Sequence, residues 1–394
     1  MFIFPSYSRR EDEQMQSSLK FSGLGTFPKV PKKKSPEKNQ RKAEQMKKVI
    51  FAVIMICLIA FVGCGKTDLQ YQKQYIDAFD TVTIIIGYAA NKEAFATNAD
   101  LLYEKLCEYH ELFDIYNTYD GINNIKTIND NAGIASVTVD NAIIELLEFS
   151  VDMYELTGGK INIAMGSVLK IWHEYRQNGI NSPDDAELPY EAELKSAAEH
   201  TNIENLIIDK EKNTVYISDP MMSLDVGATA KGYAVEKVCE YAESKGIGNI
   251  SISCGGNVCT VGKKANDTDW NVGIVSPFGN NNEYIRSVKV HDAAVVTSGT
   301  YQRYYEVDGK KYHHIIDPET LMPSELYLSV SIISKSSAES DALSTALFNM
   351  PIDEGKRLIE SLEYTDAVWI LADGSIVTSS GLSYNTEREL KIQW

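Results

Sequence analysis

The sequence lacks the signatures that usually announce an enzyme. It contains no G-x-S-x-G, no Walker A loop, no H-E-x-x-H and no C-x-x-C. The common hydrolase, kinase and zinc chemistries are therefore excluded in their usual forms. Cysteine is sparse, at 6 in 394 residues. Cys57 lies in an apolar run and Cys64 just after it, leaving Cys107, Cys239, Cys254 and Cys259 without metal-pair spacing. Cys254 and Cys259 flank G-G-N-V, so they either pair across a tight turn or stand as separate buried thiols. Positive charge is also scarce. Residues 1–63 hold 12 Lys and Arg against 5 Asp and Glu, which leaves 26 against 50 for residues 64–394. A body this acidic excludes sequence-independent nucleic-acid binding, which depends on cations neutralising phosphates. Finally, there is no long apolar stretch of the about 20 residues a spanning helix needs.

The apolar run that is present, Val49–Gly63, has 15 residues, follows Lys47-Lys48 and is followed at once by Cys64. A basic start, a short apolar run and a small residue before a break describe a secretory signal. Val62-Gly63-Cys64 resembles a bacterial lipobox, whose cysteine becomes the lipid-modified first residue. An uncleaved anchor is the alternative, and either places the body outside the cytoplasm. Residues 1–45 are polar, and Met46 reads as the natural start. The expected division is an extension over 1–45, a signal over 46–63, a tether over 64–74 and a single domain over 75–394.

Within that domain, Ala78–Gly87 reads as a strand and Asp100–Tyr119 as a helix. Asp120–Gly133 reads as a loop, and Asp140 as the cap of a helix over Asn141–Thr157. Ile161–Trp172 reads as a short strand entering a helix, and Asn178–Pro189 as an exposed insertion. Met221–Val226, a helix over Ala228–Lys245 and Asn249–Cys254 read as a β-α-β unit. Strands and hairpins follow, and Ser336-x-x-Glu339 caps a helix running to about Met350. The expectation is α+β: one compact domain with a large, mostly antiparallel sheet flanked by helices.

Several clusters could carry chemistry. Leu224–Gly232 (L-D-V-G-A-T-A-K-G) ends an apolar run in Asp225 and turns through small residues to Lys231. That pattern suits a phosphorylated ligand, because small side chains admit backbone and a helix N-terminus favours anions. It equally suits a bare turn. Asp341 and Thr345 lie four apart, hence on one helix face. They are hard oxygen donors suited to Mg²⁺, or an ordinary polar pair. In His313-His314-Ile315-Ile316-Asp317 only one histidine can enter a site, since neighbours on a strand face opposite ways. That histidine could serve as a general base. Thr297–Tyr301 with Arg303, and Ala164-Met165-Gly166-Ser167, are strand-end turns with room for a ligand. Tyr119 could stack on a flat ring.

Taken in order, A-M-G-S-V-L-K-I-W, L-D-V-G-A-T-A-K-G-Y-A, S-C-G-G-N, T-S-G-T-Y-x-R, Y-H-H-I-I-D-P-E-T and S-D-A-L-S-T-A-L-F resemble the ApbE family of extracytoplasmic flavin transferases. The resemblance runs from about residue 75 to the C-terminus. It implies an enzyme that binds FAD with Mg²⁺, splits its diphosphate and attaches FMN to a threonine of an acceptor protein, a subunit of a redox complex. It implies metal ligands at the carbonyl of Ala228 and the side chains of Asp341 and Thr345. Cofactor contacts are implied at Phe79, Tyr119, Ala164, Met165, Gly166, Asp225, Lys231, Gly256, Ser298 and Ile316. His314 is implied to activate the acceptor threonine. Leu321 stands where the family usually has glycine, and Ser167 where it often has proline.

Overall fold

The computed structural model describes residues 68–278, 283–386 and 388–394. The extension, the signal and Cys64 lie outside the described residues, as does the start of the tether. Eight antiparallel strands form the main sheet, side by side in chain order: β1 (Leu69–Tyr75), β2 (Thr83–Ala89), β3 (Ile250–Cys254), β4 (Asn257–Val261), β5 (Ala294–Gly299), β6 (Ser329–Ser334), β7 (Thr365–Ile370) and β8 (Ile376–Thr378). β1 occupies what the sequence reading assigned to the tether. Its seven residues pair with β2 from Leu69 opposite Ala89 to Tyr75 opposite Thr83.

Long excursions leave this meander. Between β2 and β3 come the helices α1 (Lys92–Phe113), α2 (Ile125–Asp130), α3 (Asn141–Leu156), α4 (Gly166–Asn181), α5 (Glu191–Ala198) and α6 (Ala230–Ser244), with a small three-stranded sheet among them. The chain between β4 and β5 supplies Trp270–Val275 and Tyr284–Val290 to a four-stranded sheet completed by the C-terminal strands. A hairpin, Tyr304–Val307 with Lys310–His313, separates β5 from β6. α7 (Ser337–Phe348) and α8 (Ile352–Glu360) separate β6 from β7.

The isoleucine run of β2 explains the layering. Ile85 packs among the helices, with Leu102, Ala234 and Val238, whereas Ile84 and Ile86 pack toward Trp270, Val272 and Val288 of the second sheet. Alternate side chains point to opposite faces, so a sheet covered on both sides needs an unbroken apolar strand. Each such side chain contributes about 1.5–3 kcal/mol when fully buried.

Four local expectations are corrected. The first long helix begins at Lys92, capped by Asn91, whose side chain accepts from the Ala94 N–H at 2.8 Å, and it stops at Phe113. The expected loop over Asp120–Gly133 contains α2, closed by a reciprocal Asn124–Thr127 capping box. Residues 161–165 form no strand, and α4 runs on through Asn178 to Asn181, into the expected insertion. Met221–Val226 is not a strand, so there is no β-α-β unit. Instead the Asn129 side chain accepts from the Leu224 N–H at 2.7 Å and donates to its carbonyl at 2.9 Å. A side-chain amide thus does what a neighbouring strand would. Cys254 and Cys259 sit on adjacent strands and are unpaired, and all four described cysteines are free.

Candidate active site

The opening turn of α6 and the middle of α7 meet at Gly232. Its backbone N–H donates to Asp341 Oδ2 at 2.8 Å. A Cβ on residue 232 would lie 2.4 Å from both Asp341 Cβ and the Ser337 carbonyl oxygen. The glycine is thus required by close approach of two helices, and it draws a buried carboxylate, 4% exposed, to the start of α6. Lys231 Nζ lies 3.4 Å from each oxygen of the same carboxylate. Thr345, one turn on, faces the same cavity as Asp341 and Ala228. Ser298 on β5 ties to this helix, 2.7 Å from Ser344 Oγ and 3.4 Å from Thr345 Oγ1. Asp341, Thr345 and Ala228 therefore line one cavity together. No group of three His, Cys, Asp or Glu residues with metal-holding geometry occurs among the described residues. The donor set is hard oxygen, of the kind that suits Mg²⁺ sharing its shell with water and ligand oxygens.

The two histidines part as strand geometry requires. His313 is buried against Phe348; its Nε2 donates to the Ser324 carbonyl at 2.7 Å and its Nδ1 accepts from Ile315 N–H at 3.2 Å. His314 lines the cavity, and its Nδ1 is buried without a partner. Burial pushes His314 down to about 3, helped by the charges of Arg303 and Arg176. Its ring is uncharged at neutral pH and holds a lone pair. Ile316 lines the cavity two residues on. Lys160 holds the loop below it through Asp317 at 3.4 Å and Glu319 at 2.8 Å.

Phe79 enters the cavity from a backbone of unusual shape. Asp77, Phe79 and Asp80 all have positive φ, at 104°, 55° and 51°. Such angles cost energy in non-glycine residues and persist only where surroundings hold them. Here the Phe79 N–H donates to His110 Nδ1 at 3.3 Å and its carbonyl accepts from Arg303 at 3.3 Å. Tyr119 does not line the cavity. Its hydroxyl donates to Asp114 Oδ2 at 2.8 Å and lies 3.4 Å from His110 Nε2. It therefore stands behind His110, which packs edge-on against Phe79.

Met165 lines the cavity, whereas Ala164 and Gly166 lie behind it. Gly166 opens α4 against Ser223: its N–H donates to that carbonyl at 3.0 Å, and a Cβ would meet the same oxygen at 2.5 Å. Asp225 faces the cavity with Oδ1 accepting from Gly227 N–H at 2.8 Å, and burial pushes its carboxyl up. Gly256 lines it too, with φ 100°.

Together these walls enclose a cavity of about 580 Å³. Of the fourteen residues to which the resemblance gives a role, eleven reach it: Phe79, Met165, Asp225, Ala228, Lys231, Gly256, Ser298, His314, Ile316, Asp341 and Thr345. Sequence reasoning missed the face of α4, where Leu169, Trp172, His173 and Arg176 all line the cavity. Their spacing of i, i+3, i+4 and i+7 is the signal that could have found them. His110 and Lys160 were missed as well.

The ApbE family model matches residues 79–369. The chain belongs to the ApbE family. A protein of Klebsiella pneumoniae named FAD:protein FMN transferase is 30% identical over 298 residues, 75% of this chain and 88% of that one. One of the same name from Treponema pallidum is 32% identical over 268 residues, 66% and 73% of the two chains. Among solved structures, the ApbE protein of Thermotoga maritima matches with a TM-score of 0.69 at 28% identity, covering 79% of this chain and 97% of that one. The fold is thus the ApbE α+β fold, with its large antiparallel sheet and flanking helices.

Proposed function

We propose that this chain is a FAD:protein FMN transferase, which moves FMN from FAD to a threonine hydroxyl of an acceptor protein and releases AMP. Flavin transfer itself follows from the family and from relatives named for that activity. The observation that carries the finer reading is His314: an uncharged histidine on the same cavity as Asp341, Thr345 and Ala228. It takes the proton of the acceptor hydroxyl as that oxygen bonds to the FMN phosphorus. The bond from that phosphorus to the bridging oxygen breaks, and AMP leaves with the electron pair. Lys231, held beside Asp341, stabilises negative charge near the diphosphate. Phe79 offers an apolar ring for a flat part of the dinucleotide.

The oxygen set fits Mg²⁺, with Asp341, Thr345 and the Ala228 carbonyl as its protein ligands. When bound, the ion neutralises charge building on the diphosphate. The acceptor is a subunit of a redox complex outside the cytoplasm, and this chain reaches it from the membrane through lipid on Cys64. No helix among the described residues is long and apolar enough to cross a membrane. A Cys64→Ser variant should move from the membrane to the soluble fraction.

The reaction is tested by incubating the protein with FAD, Mg²⁺ and an acceptor domain, and counting products. Transfer gives one AMP for each covalent flavin. AMP matched by free FMN, with an unlabelled acceptor, would instead mean hydrolysis by water in the threonine's place.

A further inference from the structure

Four lysine and arginine side chains line the cavity, and they fall into two kinds. Lys160 is paired with Asp317 and Glu319, and Lys231 with Asp341. Arg176 and Arg303, also on the wall, have no carboxylate in ion-pair contact among the described residues. The polar contact of Arg176 is Nη2 to His173 Nδ1 at 3.0 Å. Arg303 donates to the backbone carbonyls of Phe79 at 3.3 Å and Asp80 at 3.5 Å. The carboxylate facing both, Asp225, has its Oδ1 hydrogen-bonded to Gly227.

The two guanidinium groups face one cavity and repel each other, and Asp225, the carboxylate that faces both, is in ion-pair contact with neither. Burial and Arg303 both pull Arg176 below the ordinary guanidinium value. In a body this acidic, carboxylates are plentiful, so leaving these two unpaired reserves them for an anion. Arginine presents a planar fork that matches phosphate oxygens two at a time. Both groups line the same cavity as His314.

We infer that Arg176 and Arg303 form the phosphate-binding fork of this cavity, gripping the diphosphate of the dinucleotide and then the phosphate of the departing nucleoside monophosphate. This rests on the flavin-transferase reading for the identity of the ligand, but the subsite itself is defined by phosphate chemistry. His173 and the Phe79 backbone act as positioning groups, since each occupies one side of a guanidinium and leaves the rest free.

The test is equilibrium binding of ADP, a diphosphate without flavin, by calorimetry with Mg²⁺ present. Arg176→Gln and Arg303→Gln should each weaken ADP by about tenfold or more, as expected for a lost charge-assisted fork. Arg176→Lys and Arg303→Lys keep the charge without the fork and should lose less. If a glutamine variant does not fold, its lysine counterpart decides the matter. ADP affinity within twofold of wild type in the folded variants would overturn the inference. ADP binding needs neither acceptor nor turnover. A wild-type protein that fails to flavinylate an acceptor would therefore leave this subsite standing, while normal transfer with unchanged ADP affinity would sink the subsite alone.

Discussion

Gly232 hands its backbone N–H to Asp341 across a gap that no side chain could share. A Cβ at 232 would overlap Asp341 Cβ at 2.4 Å, and the other obstacle at that distance is the backbone carbonyl of Ser337. Neither can swing aside as a long side chain would. Gly232→Ala should therefore separate α6 from α7, cost about 1–3 kcal/mol as overpacking does, and lower turnover further by moving Asp341 from Lys231. Thermal melting and steady-state rates measured together check this. A variant with wild-type melting and turnover would show that the helix contact is not tight.

His314 gives a pH dependence whose sign is fixed. A histidine held at about 3 in the folded protein binds no proton over a range where the unfolded chain, near 6.5, does. Its contribution to stability is therefore complete above about 6.5 and is lost as pH falls from there toward 3. His314→Ala should flatten the fall in melting temperature over that window. In the wild-type protein, kcat/KM should show no loss near pH 6.5 attributable to this ring. An inflection there that disappears in His314→Ala would contradict the assignment.

Tyr119 acts through His110. Its hydroxyl bonds to Asp114 and reaches His110, whose other nitrogen accepts from the Phe79 N–H. Tyr119→Phe should therefore loosen the Phe79 loop, raising KM for FAD by a few-fold while kcat changes little. A fall in kcat with KM unchanged would place the tyrosine at the reacting atoms instead.

Asn129 supplies both hydrogen bonds to the Leu224 backbone. Asn129→Ala leaves a part-buried N–H and carbonyl without partners, and should cost about 1–3 kcal/mol. Chemical denaturation would read it. A change below about 0.5 kcal/mol would mean water replaces the amide without loss.

The sequence disclosed the site better than the segments around it. Asp341 and Thr345 were legible because a helix of 3.6 residues per turn puts positions four apart on one face. That only one of His313 and His314 enters the site was legible because strand neighbours face opposite ways, and the family resemblance pointed to His314. Met221–Val226 was misread because its apolar residues promised a strand, while the partner proved to be an asparagine side chain 95 positions away in the chain. α2 was missed because Asp120–Gly133 is rich in asparagine, which also builds caps. Leu321 holds φ at 59°, where the resembled family has glycine. Its N–H donates to the Asp317 carbonyl at 2.8 Å and its own carbonyl accepts from Trp172 Nε1 at 2.9 Å, contacts that hold the backbone in that shape. The leucine at 321 does not itself forecast that shape, whereas the family's glycine would, because glycine is the residue that adopts positive φ freely.

The most direct test of the account is the intact mass of an acceptor domain after incubation with FAD and Mg²⁺, with wild-type protein and with Asp341→Asn. The account predicts that wild type adds the mass of one FMN phosphoester at a threonine. It predicts that chelating the metal or substituting Asp341 removes the addition. An acceptor of unchanged mass beside freshly released FMN and AMP, or an Asp341→Asn protein that labels the acceptor as fast as wild type, would contradict it.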